Sequence, residues 1–152
     1  MTIYLVRHGA ALDMGEAGIS KDFDRPLSKE GRRKTEEVAA GLAALGVAPE
    51  LIGASPLVRA QETARILGSV LCPDRRVELC PCLQPDAPLA AAVEWLRGAG
   101  VESVMAVGHM PDIAELAALL LAGEADLQLV FKKAAVACIS FEKLPAAGCG
   151  RL

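Results

Sequence analysis

Aromatic residues make up only 3% of this 152-residue sequence, and histidine occurs twice, at His8 and His109. So few rings leave little to stack on bases. Lys+Arg 16 against Asp+Glu 19 gives a net charge of −3, with no basic field to displace counterions from a nucleic-acid backbone. No nucleic-acid partner is expected. Long apolar runs are missing as well: a bilayer span needs about 18 or more apolar residues in succession, and the longest uncharged stretch, Val38 to Pro49, is shorter and broken by Gly and Pro. The opening run Ile3 to Val6 meets Arg7 too soon for the core of a signal peptide. No membrane partner and a cytoplasmic location are the expectations. The five cysteines, an odd number in a chain long enough to bury a core, predict reduced thiols. Cys80-Pro81-Cys82 has one residue between its thiols and no histidine nearby to complete a tetrahedral zinc site, so no metal is expected there.

What the sequence has is apolar mass, 53% against 23% charged, unlike a disordered chain. The length suits one domain of roughly 150 residues, here taken as residues 1–152. Its hydrophobic period alternates between strand-like and helix-like segments throughout. Ile3 to Val6 predicts a short strand. Ser28 stands at an N-cap position, Thr35, Val38, Leu42 and Leu45 follow at helical steps, and Gly46 is the stop signal. Leu51 to Ala54 predicts a second strand. A helix beginning near Leu57 then turns Thr63, Ile66, Leu67, Val70 and Leu71 toward a core. Val77 to Leu79 predicts a brief strand, and Pro81, Pro85 and Pro88 a loop, before a helix whose stripe is Leu89, Ala92, Val93 and Leu96, with Trp95 as packing. Val104 to Val107 reads as a buried strand. The next helix has the stripe Ile113, Leu116, Ala117 and Leu120, and Ala134 to Phe141 reads as an edge strand. This alternation predicts an α/β fold, a three-layer sandwich with a mostly parallel central sheet flanked by helices.

Functional groups in such sheets collect at the carboxyl ends of the strands. The first strand runs into Arg7-His8-Gly9, the second into Ser55-Pro56 with Arg59 just beyond, and a later one into Gly108-His109. Taken singly, each has an ordinary explanation. A strand-end histidine is commonly a hydrogen-bonded structural residue, Arg59 has Glu62 three residues on as a partner, and Gly9 makes a turn. Lys132-Lys133 reads as a solvated pair, and Asp22-Phe23-Asp24 as loop. Brought to one sheet edge, however, two guanidinium groups and two imidazoles with no carboxylate at the same exits repel one another unless an anion sits among them. Phosphate suits them, because arginine forks grip its oxygens and the helix N-termini near Leu57 and Pro111 add partial positive charge. A neutral imidazole there has a lone pair able to attack phosphorus. The pattern points to phosphoryl transfer through a phosphohistidine.

In this order the motifs resemble the histidine phosphatase superfamily, with its phosphoglycerate mutase-like fold. They are Arg7-His8-Gly9, the run Ser55-Pro56-Leu57-Val58-Arg59-Ala60-Gln61-Glu62-Thr63, Gly108-His109, and Arg25-Pro26-Leu27-Ser28-Lys29-Glu30-Gly31 at the entry to the first helix. The compact length, His109-Met110-Pro111 and the stretch through Gln84-Pro85 are similar to the SixA-type phosphohistidine phosphatases, and little chain between Arg59 and His109 is left for a lid. The resemblance implies that His8 is the nucleophile and that Arg7, Arg59 and His109 bind the phosphoryl oxygens. Water then hydrolyses the phosphoimidazole, with no metal or cofactor. It implies a phosphorylated histidine-containing protein as substrate. A small phosphate ester, attacked by the same His8 chemistry, is the alternative, and a non-catalytic phosphate-binding module is a third reading. The sequence departs from the superfamily at the general acid, since Cys82-Leu83 stands where SixA-like sequences carry Glu-Leu. Asp86, Glu78 and Asp13 are the candidate substitutes, each also readable as a solvated loop carboxylate. A protonated imidazole leaves phosphorus readily whereas an alkoxide needs a proton, so a weak acid fits a phosphohistidine substrate.

Overall fold

Side chains alternate between the two faces of a strand, and this chain buries both. A computed structural model, describing residues 1–124 and 127–152, contains β1 (Thr2–Arg7), β2 (Leu51–Ala54), β3 (Val77–Leu79), β4 (Ser103–Gly108) and β5 (Val136–Ser140). They form one sheet of order β3-β2-β4-β1-β5, parallel except for β5, which runs antiparallel to β1 at the edge. Ile3, Leu5, Val104 and Ala106 enter one core with α3 (Leu89–Gly98) and α4 (Asp112–Ala122). Val6, Ile52, Ala54, Met105 and Val107 enter the other with α1 (Lys29–Ala44) and α2 (Val58–Leu71). The architecture is the three-layer α/β sandwich that the sequence predicts.

The caps of α1 are where the sequence puts them. Ser28 Oγ accepts the Gly31 N–H at 3.0 Å. Gly46, at φ 74°, ends the helix as its N–H bonds Ala43 O while Val47 N–H bonds Leu42 O. The buried face of α1, however, is Gly31, Thr35 and Ala39, and Leu45 is 80% exposed because it caps the helix instead of continuing it. In α2 the buried face is Ala60, Thr63, Ala64, Leu67 and Leu71, and Val70 is exposed. Small residues predominate on both faces because the backbones approach closely. A Cβ on Gly31 would lie 1.9 Å from Ala10 O.

Trp95 packs as expected: its ring lies against Gly53 of β2, where a Cβ would come within 2.4 Å of Cη2. The proline-rich stretch contains one short 3-10 turn, Pro81–Leu83. β5 starts later than Ala134, because Ala134 takes φ 62° and turns its N–H to the carbonyls of Arg7 and His8. All five cysteines are free. Burial pushes the Cys80 thiol up to about 12, so it stays protonated. Among the described residues no helix is long and apolar enough to cross a membrane.

Candidate active site

Sheet register brings the predicted strand exits together. Arg7 lies opposite Gly108 and Ala54 opposite Val107, and the ladder continues one residue further as His8 N–H bonds Gly108 O and Ser55 N–H bonds Val107 O, both at 3.0 Å. His8 and His109 therefore meet, with ring centroids 4.9 Å apart and planes tilted by 55°. Both are buried, as is Arg59.

Each ring has one nitrogen fixed by the protein. His8 Nδ1 donates to Gly9 O at 2.7 Å, which leaves Nε2 with the lone pair. Burial pushes His8 down to about 3, helped by the charge of Lys133 and then by His109 and Arg59, against the Gly9 carbonyl. Gly9 is itself clamped, since its N–H donates to Thr63 Oγ1 at 3.0 Å and Thr63 Oγ1 donates to Arg59 O at 2.7 Å. His109 Nε2 lies 2.8 Å from Ser55 Oγ, which already accepts the Leu57 N–H at 3.3 Å. Nε2 is the one acceptor within hydrogen-bond distance of the Ser55 proton among the described residues, and with that proton on it His109 carries its own on Nδ1. Burial, followed by the Arg59 charge, lowers His109 to about 4, so this ring is neutral too.

Two buried donors here have no protein partner among the described residues, His109 Nδ1 and Arg7 Nε. Arg7 is held from its other side, where Nη1 donates to Phe131 O at 2.6 Å. Neutral donors and fixed guanidinium groups of this kind suit a tetrahedral oxyanion.

The partner of Arg59 is not Glu62. Glu62 accepts from Leu27 N–H and Arg32, both at 2.7 Å. Arg59 instead bonds Asp22, through Nη1 to the backbone O at 2.8 Å and through Nη2 to Oδ2 at 2.9 Å. Asp22 also takes Arg25 at 2.9 Å, and these guanidinium groups, Arg25 first, hold its carboxyl below the ordinary range. The absence of a carboxylate was true of the strand exits only, because a 3-10 turn at Asp22–Asp24 supplies one from outside the sheet. Its nearness in sequence to Arg25-Pro26 was the sole signal for it. Lys132 and Lys133 are both exposed, as the solvated-pair reading expects, but Lys133 is pushed down to about 8 by partial burial and by repulsion from Arg7, Arg59 and Arg25.

None of the three substitute acids bonds the histidines, Arg7 or Arg59 among the described residues. Asp13 is exposed and pairs with Arg25 at 3.3 Å. Glu78 lines an open groove with Glu50, Leu51 and Trp95, toward the amino ends of the strands. Asp86 is exposed in the turn before α3, its N–H bonding Asp112 Oδ1 at 3.0 Å. Between Arg59 and His109 the chain is occupied by α2, β3, the short turn, α3 and β4.

A model of the histidine phosphatase superfamily (branch 1) matches residues 3–84. The chain belongs to this superfamily. It is 31% identical over 147 residues to phosphohistidine phosphatase SixA of Escherichia coli K12, covering 94% of this chain and 87% of that protein. It is 38% identical over 140 residues to an uncharacterized protein of Picosynechococcus, covering 90% and 82%. A solved structure of the protein histidine phosphatase SixA complexed with tungstate superposes with a TM-score of 0.85 at 27% identity, over 99% of this chain and 93% of that one. The chain is thus a phosphatase of the SixA type with a phosphoglycerate mutase-like fold. The superfamily match includes Arg7, His8 and Arg59; His109 lies beyond it and joins them through the register of β4.

Proposed function

We propose that the protein hydrolyses phosphohistidine on a partner protein, through a covalent phosphohistidine on its own His8 and without a metal. The observation that carries this is the state of His8: neutral, its Nδ1–H fixed on Gly9 O, its Nε2 lone pair free beside a group of cations.

Arg7, Arg59 and the Nδ1–H of His109 bind the phosphoryl oxygens. Nε2 of His8 forms a bond to phosphorus as the substrate's P–N bond breaks, and the departing imidazole keeps its proton. Water then attacks phosphorus, the P–Nε2 bond breaks, and orthophosphate leaves. Charge-assisted hydrogen bonds contribute about 1.5–3 kcal/mol each, and one aimed at developing charge is worth roughly 10²–10³ in rate. The cationic groups thereby supply the charge neutralisation that a metal ion provides in other phosphoryl-transfer sites.

The choice of substrate rests on the proton donor. Asp22 is the carboxylate bound to the cluster, and the two guanidinium groups keep it ionised, so it is a poor acid. A protonated imidazole leaves without one; an alkoxide does not. Comparing kcat/KM for a histidine-phosphorylated protein with that for phosphoserine, whose alkoxide must be protonated as it leaves, tests the assignment. A strong preference for the phosphoprotein is expected, and a preference for the ester makes a small phosphate ester the substrate class instead.

A further inference from the structure

The segment before β5 is bound to the exit of β1 rather than trailing past it. Arg7 Nη1 donates to Phe131 O at 2.6 Å, Arg7 N–H to Ala135 O at 3.1 Å, and Ala134 N–H to Arg7 O at 3.1 Å and His8 O at 3.3 Å. Ala134 adopts φ 62°, which residues with a Cβ rarely take. Buried and doubly bonded, it holds that conformation and fixes the position of its neighbour, Lys133.

Lys133 is thus held at the exit of β1, next in the chain to a residue bonded to the carbonyls of Arg7 and His8. Its charge disfavours protonation of His8, as does that of Arg59. The charges that act on Lys133 are those of Arg7 from β1, Arg59 from α2, and Arg25 with Asp22 from the segment before α1, and its own charge acts on His8 and His109. The carboxylate that acts on it, Asp22, is already shared between Arg25 and Arg59. A partly desolvated ammonium among three guanidinium groups is unfavourable on its own and becomes favourable when an oxyanion enters.

We propose that Lys133 is a further ligand of the phosphoryl group, reaching the oxyanion from the segment that is hydrogen-bonded to the exit of β1. This rests on the phosphatase reading of the same site and adds a titrating group to it. Lys133 loses its charge as pH rises through about 8, so affinity for an oxyanion falls across that range. An anion already bound delays the loss by favouring the charged form.

Tungstate is a suitable probe because it stays a dianion from about pH 7 to about pH 9, whereas phosphate titrates there itself. Its dissociation constant is measured by calorimetry across that range for the unaltered protein and for Lys133→Gln, Lys133→Arg, Lys132→Gln and Arg59→Ala. The unaltered protein and Lys132→Gln lose affinity as pH rises. Lys133→Arg, which does not titrate, keeps its affinity throughout, and Lys133→Gln binds roughly tenfold or more weakly with a flat profile. If Lys133→Gln binds as tightly as the unaltered protein and keeps the alkaline fall while Arg59→Ala loses binding, the role of Lys133 is overturned and the phosphatase reading stands. If the unaltered protein binds no tungstate at all, both are overturned.

Discussion

Asp22 holds Arg59 by two contacts at once, its backbone oxygen on Nη1 at 2.8 Å and its carboxylate on Nη2 at 2.9 Å. Arg59 sits in the first turn of a helix, where its long side chain would otherwise sample several rotamers. The turn at Asp22–Asp24 removes that freedom. Aiming one guanidinium is worth about one charge-assisted hydrogen bond. Asp22→Ala is expected to lower kcat/KM roughly tenfold, and Asp22→Asn less, because the amide oxygen still accepts from Nη2. Steady-state kinetics on both variants checks the order. Equal activity of Asp22→Ala and the unaltered enzyme would mean that Arg59 needs no such support.

Ser55 sets the tautomer of His109. Its hydroxyl receives the Leu57 N–H and gives its own proton to Nε2, which makes Nδ1–H the free donor. With Ser55→Ala the ring is free to place its proton on either nitrogen, and kcat is expected to fall roughly 10- to 100-fold. His109→Ala and Arg59→Ala should each cost about 10² or more. The ¹⁵N shifts of the His109 ring are the decisive readout: they report Nδ1–H in the unaltered protein and a mixture in Ser55→Ala.

Both rings also couple stability to pH. Burial, the largest cause in each case, lowers His8 to about 3 and His109 to about 4, whereas in an unfolded chain histidine titrates near 6.5. Between about pH 6.5 and 4 the unfolded state binds protons that the folded state refuses, so stability falls with decreasing pH. The loss is complete once pH is below about 3. Thermal unfolding between about pH 6.5 and 5, where carboxylates remain ionised, should give a falling Tm in the unaltered protein. A variant with His8→Asn and His109→Gln should have a shallower slope. Parallel slopes would place the acid sensitivity elsewhere.

Two glycines of one helix should respond in opposite directions. Gly31 meets Ala10 O at 1.9 Å when given a Cβ, and Ala10 follows directly on His8-Gly9, so Gly31→Ala pushes α1 off the strand exit. An overpacked contact costs about 1–3 kcal/mol. Gly41 has nothing within 4 Å, and Gly41→Ala should stabilise α1 by about 0.5–1 kcal/mol. Urea unfolding of the two variants measures both signs, and equal values for both would argue against the close packing of α1 on Ala10.

Much of this site could be read from sequence because strand ends announce themselves. An apolar β-forming run that breaks into Arg7-His8-Gly9 or Gly108-His109 marks both the end of a strand and the edge at which the candidate site gathers. Ser28 and Gly46 bound α1 by chemistry local to four residues. What escaped was non-local. Arg59 had a plausible partner at helical spacing, yet it reaches Asp22, 37 residues away in the chain. Lys133 reads as one half of a solvated pair and is exposed, and only the hydrogen bonds of Phe131, Ala134 and Ala135 with Arg7 and His8 bring it to the exit of β1. Leu45 and Val70 fit the helical period but not the core, because α1 and α2 bury small residues in their place.

The phosphoenzyme itself offers the most direct test. The protein and His8→Ala are each mixed with a histidine-phosphorylated phosphotransfer domain and quenched in alkali within the first turnover. Mass spectrometry then locates the phosphoryl group. In the unaltered protein the account predicts one acid-labile phosphoryl group, on His8, and in His8→Ala no phosphoenzyme and no phosphate release. A phosphoryl group captured by His8→Ala, or found on any other residue of the unaltered protein, would contradict it.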